Sequence, residues 1–257
     1  MSAYKKIFLL VDKSPKAKKS AKELREQYDF HDDIETADVV VVLGGDGFML
    51  HSLHKMMNKN VPLYGINRGT YGFLLNKAKK IDLIKRINNA SKTVLYPLKM
   101  TANTTDNKTY SELAVNEVSM LRQTYQAANL NIKIDNEEHL ADLVCDGVIV
   151  ATPAGSSAYN LSANGPVIPL SAELLALTPL SPFRPRRWRG ALLPSNKTIS
   201  IEVKNPQKRP VSTVADFAEI RDVQYVEVKQ QNNIKMQLLF DPDHKLEDKL
   251  IKEQFVL

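Results

Sequence analysis

A single cysteine, Cys145, stands among the 257 residues. It excludes a disulfide within this chain and any zinc site built on paired thiolates, and it suits a reducing, cytoplasmic setting. Long hydrophobic runs are also missing. The first apolar run, Ile7 to Val11, follows Lys5 and Lys6 and stops at Asp12. That is too short for a signal-peptide core and far too short to span a bilayer. The five histidines show no metal-ligand spacing, and there are no repeats or low-complexity segments. Glycine is scarce as well: ten residues, against a usual share of about 7%. Six of those ten fall between Gly44 and Gly72. A chain so sparing with glycine concentrates it where backbone turns sharply or a ligand comes close.

What is present is ordinary in amount and informative in arrangement. Hydrophobic residues make up 43% and charged residues 25%, as in a globular chain. The net charge of +6 suits a polyanionic ligand: nucleotide phosphates, nucleic acid or a membrane surface. The length allows one large domain or two small ones.

The first hundred residues alternate in type. Lys6 to Val11 reads as a buried strand, and Ser14 to Tyr28 as a helix with Ser14 as N-cap and Pro15 first inside. Val39 to Leu43 is a strand buried on both faces, Phe48 to Met57 a helix, Pro62 to Ile66 a strand and Lys80 to Asn89 a helix. Such alternation predicts a parallel sheet with crossovers. After Tyr96 the texture changes to alternating stretches: 113–121, 130–135, 143–151, 198–204, 211–215, 223–229 and 234–240. Asn232-Asn233 reads as a hairpin turn joining the last two. The expected fold is an α/β N-terminal domain with a parallel sheet, followed by a β-rich, sandwich-like C-terminal domain. The α/β domain would comprise residues 1–97 plus a returning C-terminal helix at 244–257, and the β-rich domain residues 98–243.

Five segments carry chemistry. Val39 to Leu43 runs into Gly44-Gly45-Asp46-Gly47 and then a helix. A buried strand delivers this loop to the C-terminal edge of a sheet, where open α/β folds bind ligands. Its backbone N–H groups and the helix N-terminus suit an anion. A carboxylate in a phosphate loop would repel its ligand, which points to a second role for Asp46, either accepting a proton from a hydroxyl or holding Mg²⁺. Gly65 to Leu74 is a second glycine-rich loop beside the first. Asn116-Glu117 interrupts an apolar strand; Asn suits an adenine edge or a ribose hydroxyl, and Glu a ribose diol. Cys145 to Pro166 leads from a strand into small residues, hydroxyls and Tyr159, leaving room for a ring. Finally Arg184, Arg186, Arg187 and Arg189 surround Trp188, a phosphate-binding loop or a solvated one. His51 lies one turn into the helix after the glycine loop, where it could reach a phosphate.

Taken together, Gly44-Gly45-Asp46-Gly47, Asn116-Glu117, Asp146-Gly147 and Thr152 to Tyr159, in that order, resemble the NAD kinase family over nearly the whole chain. The resemblance implies transfer of the γ-phosphoryl of ATP to the 2′-hydroxyl of the adenosine ribose of NAD, making NADP. It implies Asp46 as the proton acceptor and Mg²⁺ arriving with ATP. It implies NAD contacts at Asp46, Gly47, His51, Phe73, Asn116, Glu117, Asp146, Ala154, Ser157, Ala158, Tyr159, Asn160, Leu161 and Ser162, and ATP or phosphate contacts at Gly44, Gly45 and Gly47. It also implies a cytoplasmic homotetramer or homodimer with the site near a subunit interface, and neither nucleic acid nor membrane as partner. Three positions depart from the family's pattern. Phe48 stands where Thr or Ser is usual, His51 where a basic residue is common, and Ala154 where Ser is more frequent. Three other readings compete. A lipid or sugar kinase needs an acceptor pocket unlike this one. A cyclic-dinucleotide synthase lacks its second carboxylate, because Gly47 precedes Phe48. A nucleotide sensor or nucleic-acid binder would rest on the charge and the arginine loop alone.

Overall fold

In the computed structural model the description covers residues 4–70, 72–79 and 81–243. The chain divides into two compact units: residues up to Leu95 together with those from Asn233 onward, and Tyr96–Asn232.

The first unit opens with β1 (Ile7–Val11), α1 (Pro15–Arg25), β2 (Val39–Gly44), α2 (Asp46–Met56), β3 (Leu63–Asn67), α3 (Leu83–Asn89) and β4 (Ser91–Leu95). Strands β1, β2 and β3 pair in parallel, with Ile7 opposite Val39 and Val40 opposite Leu63. Val39 to Leu43 are wholly buried. Val39, Val41 and Leu43 pack with Ala17 and Ala21 of α1 and Leu83 and Ile87 of α3. Ser14 does sit at the N-cap of α1 with Pro15 first inside, though its hydroxyl makes no capping bond. Helix α2 begins at Asp46, two residues before the expected Phe48, so the loop carboxylate is itself in the first turn.

The second unit is wholly antiparallel. It comprises β5 (Leu98–Thr104), β6 (Thr109–Ala114), β7 (Glu117–Arg122), β8 (Ala128–Ile134), β9 (Glu137–Cys145), β10 (Gly147–Ala151), the short α4 (Tyr159–Ser162), β11 (Leu174–Leu180), β12 (Ala191–Pro194), β13 (Ile199–Val203), β14 (Val211–Ala215), β15 (Ala218–Ile220) and β16 (Val223–Gln230). One six-stranded sheet runs β6-β5-β16-β13-β8-β9 and the other β12-β11-β10-β7-β14-β15. They share an apolar core, with Met100, Ile132 and Val226 from one and Met120, Val148 and Leu177 from the other. Cys145 lies in this core, and burial pushes its thiol up to about 12, so it is inert at neutral pH.

Three expectations are corrected. The stretch 113–121 is two strands: β6 and β7 lie in different sheets, and Val115-Asn116 is the crossing. The stretch 143–151 likewise crosses from β9 to β10 at Asp146. The strand expected to form a hairpin with β16 is β17 (Met236–Phe240), and it leaves the β-rich unit altogether. It pairs parallel to β3 and antiparallel to β4, which closes the first sheet in the order β1-β2-β3-β17-β4. Its apolar residues fit a buried strand of either sheet, so pattern alone could not choose. The expected helix at 244–257 lies outside the described residues.

A buried polar cluster fixes the end of β17. Arg86 Nη2 donates to Asp241 Oδ2 at 2.7 Å, and the Tyr64 hydroxyl donates to Asp241 Oδ1 at 2.6 Å. The Asn76 amide donates to the carbonyls of Gly65 and Leu239, while Asp241 N–H donates to Asn76 Oδ1. The two side-chain hydrogen bonds and the Arg86 charge hold the Asp241 carboxyl below its ordinary range despite burial, which acts the other way. This cluster ties β3, α3 and β17 to the segment that follows the second glycine loop.

Candidate active site

Strand β2 ends at Gly44, and Gly45, the N-cap of α2, has extended backbone (φ −104°, ψ −178°). The described glycines show positive φ only at Gly190. The glycines of this loop are therefore there for close approach and not for a left-handed turn. A Cβ on Gly44 would sit 2.7 Å from Phe48 Cδ1, and one on Gly45 would lie 3.8 Å from Gly69 Cα. The two glycine loops thus run side by side, joined by the Arg68 N–H donating to Gly44 O at 2.8 Å. Gly47 differs. It is exposed, and a Cβ there would meet nothing within 4 Å. No described residue fills that space.

Asp46 is oriented by the second loop. The Phe73 N–H donates to its Oδ2 at 2.7 Å and the Leu74 N–H to its Oδ1 at 2.9 Å. Phe73, expected as an NAD contact, supplies a backbone amide to the catalytic candidate. Gly72 leaves room for Asn67: a Cβ there would be 2.8 Å from Asn67 Nδ2. Asn67 Oδ1 in turn accepts from Gly69 N–H at 2.8 Å. His51 lies on the exposed face of α2. Phe48 packs over Gly44, whose missing Cβ leaves the ring its room.

In the β-rich unit, both sheet crossings fall on motif residues. At the first, the Asp216 carboxylate accepts three successive backbone N–H groups: Val115 at 2.7 Å, Asn116 at 3.0 Å and Glu117 at 3.3 Å. On the other side Thr152 N–H donates to Asn116 O at 2.9 Å, and the Thr152 hydroxyl donates to Val115 O at 2.8 Å. Gly155 permits this contact, because a Cβ there would lie 2.1 Å from Asn116 O. The Asn116-Glu117 motif and the Thr152 loop are therefore one bonded assembly. Asn116 does not interrupt a strand, as the sequence suggests; it belongs to the crossing. Glu117 Oε2 is buried with no hydrogen-bond partner. Burial first, and the Asp216 charge second, push its carboxyl up to about 7.

At the second crossing, Asp146 Oδ1 accepts from Arg122 Nε at 2.5 Å. Gly147 is required there, since a Cβ would fall 1.8 Å from Met120 O. Tyr159, 37% exposed, has its hydroxyl pKa raised by burial and by the charges of Glu117 and Asp146. Ala154 is buried, Ser157 and Ala158 are half-buried, Leu161 is half-buried and Ser162 is exposed. Asn160 is a correction: its side chain is fully buried and holds the loop together. Its amide donates to Ser156 O and Pro166 O, and its Oδ1 accepts from the Thr178 hydroxyl at 2.7 Å. In the basic loop, Arg184, Arg186, Arg187 and Arg189 are exposed, Arg186 lies over the Phe183 ring, and Trp188 packs on the core.

Sequence reasoning misses Asp216, Thr152 as a buried clamp, and Arg122. Asp216 sits in a tight turn, where an Asp is unremarkable; only its position opposite the 115–117 crossing shows what it holds.

A glycine-rich loop presenting a carboxylate at the end of a buried parallel strand, in a chain that continues into an antiparallel sandwich, has the parts that a nucleotide-dependent phosphotransferase uses. Residues 5–89 match the family model described as "ATP-NAD kinase N-terminal domain", and residues 115–233 match "ATP-NAD kinase C-terminal domain". The chain belongs to the ATP-NAD kinase family. It is 47% identical to an NAD kinase of Rhizobium meliloti (strain 1021) over 98% of both chains, and 49% identical to one of Rhizorhabdus wittichii over 97% of both. The fold resembles an NAD kinase from Archaeoglobus fulgidus in complex with ATP (TM-score 0.76, 22% identity, 97% of this chain and 98% of that one). It also resembles yeast NADH kinase complexed with NADH (TM-score 0.75, 24% identity, 97% and 77%).

Proposed function

We propose that this enzyme transfers the γ-phosphoryl group of ATP to the 2′-hydroxyl of the adenosine ribose of NAD, yielding NADP and ADP. The observation that carries the reading is the Asp46 carboxylate, set in the glycine loop and aimed by the Phe73 and Leu74 amides. The first four N–H groups of a helix have no intrahelical acceptor. Those of α2 and the adjoining Gly44–Gly47 backbone would receive phosphate oxygens. Asp46 accepts the ribose proton as the 2′-oxygen bonds to the γ-phosphorus, and the bond from that phosphorus to the bridging oxygen of ADP breaks. The transition state is loose, so positioning and charge neutralisation carry most of the rate.

Mg²⁺ belongs with the nucleotide. Among the described residues no group of three or more His, Cys, Asp or Glu side chains could hold a metal. The ion would neutralise the charge of the transferring phosphate, and Asp46 is the carboxylate of the loop that could touch it. Asn116, Glu117, Asp146 and Tyr159 are the side chains proposed to hold the dinucleotide, the unpartnered Glu117 Oε2 awaiting a hydroxyl.

We also propose a homotetramer or homodimer. Phe183, Leu192 and Phe217 are each about half exposed in the single chain, which supports apolar burial against another copy. The proposed location is the cytoplasm, where ATP and NAD are at hand. Among the described residues no helix is long and apolar enough to cross a membrane.

The test is incubation of the purified protein with ATP, Mg²⁺ and NAD, read by an NADP-specific dehydrogenase. NADP should accumulate one for one with ADP. ATP consumption with a lipid or sugar alcohol, and none with NAD, would move the enzyme to another kinase class.

A further inference from the structure

Asp216 occupies the tight turn between β14 and β15, with Ala215 paired to Ala218 across it. Its φ is 52°, in the left-handed region. Glycine takes that conformation without a Cβ penalty, whereas a side-chain-bearing residue is strained there unless its surroundings compensate. Here the compensation is visible. One carboxylate accepts from the N–H groups of Val115, Asn116 and Glu117 at 2.7, 3.0 and 3.3 Å, and the Asp216 N–H returns a bond to Glu117 O at 3.1 Å.

Two of those amides belong to Val115-Asn116, where the chain leaves one sheet for the other, and the third to Glu117, the first residue of β7. Residues at such a crossing lie outside the regular ladder, so their N–H groups need another acceptor. A turn without a carboxylate would still close the hairpin, but it would leave the Val115 and Asn116 N–H groups without that acceptor. The Thr152 loop holds the opposite side through the carbonyls of Val115 and Asn116. The crossing is thus gripped by its amides from Asp216 and by its carbonyls from Thr152. Its direction fixes where the Asn116 and Glu117 side chains point.

We propose that Asp216 is the positioning residue of the dinucleotide site, setting the backbone of Val115-Asn116-Glu117 and thereby the affinity for NAD. It acts through that backbone and touches no reacting atom. The inference rests on the reading that Asn116 and Glu117 hold NAD.

The test compares Asp216→Asn and Asp216→Ala in the full-length protein, measuring KM for NAD, KM for ATP, kcat and thermal melting. Asp216→Ala removes every acceptor and should raise KM for NAD at least tenfold, leaving KM for ATP within about twofold. Asp216→Asn keeps one acceptor oxygen in the same shape and should recover most of that loss. Asn116→Ala is run beside them. If it raises KM for NAD while both Asp216 variants leave it unchanged, the site reading stands and the positioning role is overturned. If Asn116→Ala also leaves KM for NAD unchanged, the reading beneath the inference is overturned. A parallel rise in both KM values in Asp216→Asn would mark a general loss of structure and would also overturn it. Should Asp216→Ala fail to fold, Asp216→Asn alone must raise KM for NAD more than KM for ATP.

Discussion

Gly47→Ala separates the demands of the fold from those of the ligand. Gly47 is the second residue of α2, and no described residue occupies the space its Cβ would enter. Replacing a glycine by alanine in a helix is worth about 0.5–1 kcal/mol, chiefly by restricting the unfolded chain. For a protein of this size that raises Tm by about 1–4 °C. The variant should therefore melt no lower than the parent. The added carbon extends about 1.5 Å from Cα into the space beside Asp46. A displacement of about 1 Å at a reacting centre costs on the order of 100-fold in rate. Thermal melting with steady-state phosphorylation of NAD gives both numbers. A stable variant with about 1% of parental kcat is expected. Full activity would show that no substrate atom approaches Gly47. A drop in Tm would show that the open space is filled by protein.

Four further outcomes follow from other parts of the structure. Asp46→Asn should lower kcat by about 10²–10⁴. It should melt within a few degrees of the parent, because the amide oxygen can still accept one of the two loop N–H groups; a large fall in Tm with kcat intact would reverse the assignment. Gly155→Ala should strongly destabilise the β-rich unit, since a methyl 2.1 Å from Asn116 O must push two backbones apart; a Tm unchanged in calorimetry would contradict the packing. Asp241→Ala should cost about 3–5 kcal/mol, because it strands the buried Arg86 charge; urea unfolding reads this directly. Glu117 carries a folded pKa of about 7 against an ordinary 4.5. The folded state thus holds the proton more tightly, so this group's contribution to stability falls as pH rises from about 4.5 to 7 and is level beyond. Glu117→Gln should remove that slope from the pH dependence of unfolding.

The parts legible in the sequence are those where one local pattern admits one structure. Val39 to Leu43 reads as a strand buried on both faces, and the clustered glycines after it as a close-approach loop, which Gly44 bears out. The α/β half follows from alternation. Where apolar runs cross between sheets, the pattern misleads: 113–121 and 143–151 look continuous because apolar residues carry on from one sheet into the other. The polarity of Asn116 and Asp146 does mark them out, but an apolar context makes them look like strand residues. They are in fact the points where the ladder stops. Strand β17 is expected in the wrong unit because adjacency in sequence favours a hairpin, and nothing local records that it pairs with β3 and β4. Asn160 resembles a ligand contact because it lies among small residues and hydroxyls. Its burial and its three bonds depend on Pro166 and Thr178, which the motif does not reveal. Asp216 is invisible for the same reason: its partners are about a hundred residues away.

The most direct measurement is a single-turnover comparison of the parent enzyme with Asp46→Asn at saturating ATP, Mg²⁺ and NAD, following the 2′-phosphorylated product. The account predicts that the parent forms NADP and that the variant, still folded and still binding NAD, forms it at least about 100-fold more slowly. A variant that makes NADP at near-parental rate would contradict it, because the carboxylate that the second loop holds in place would then have no part in the chemistry.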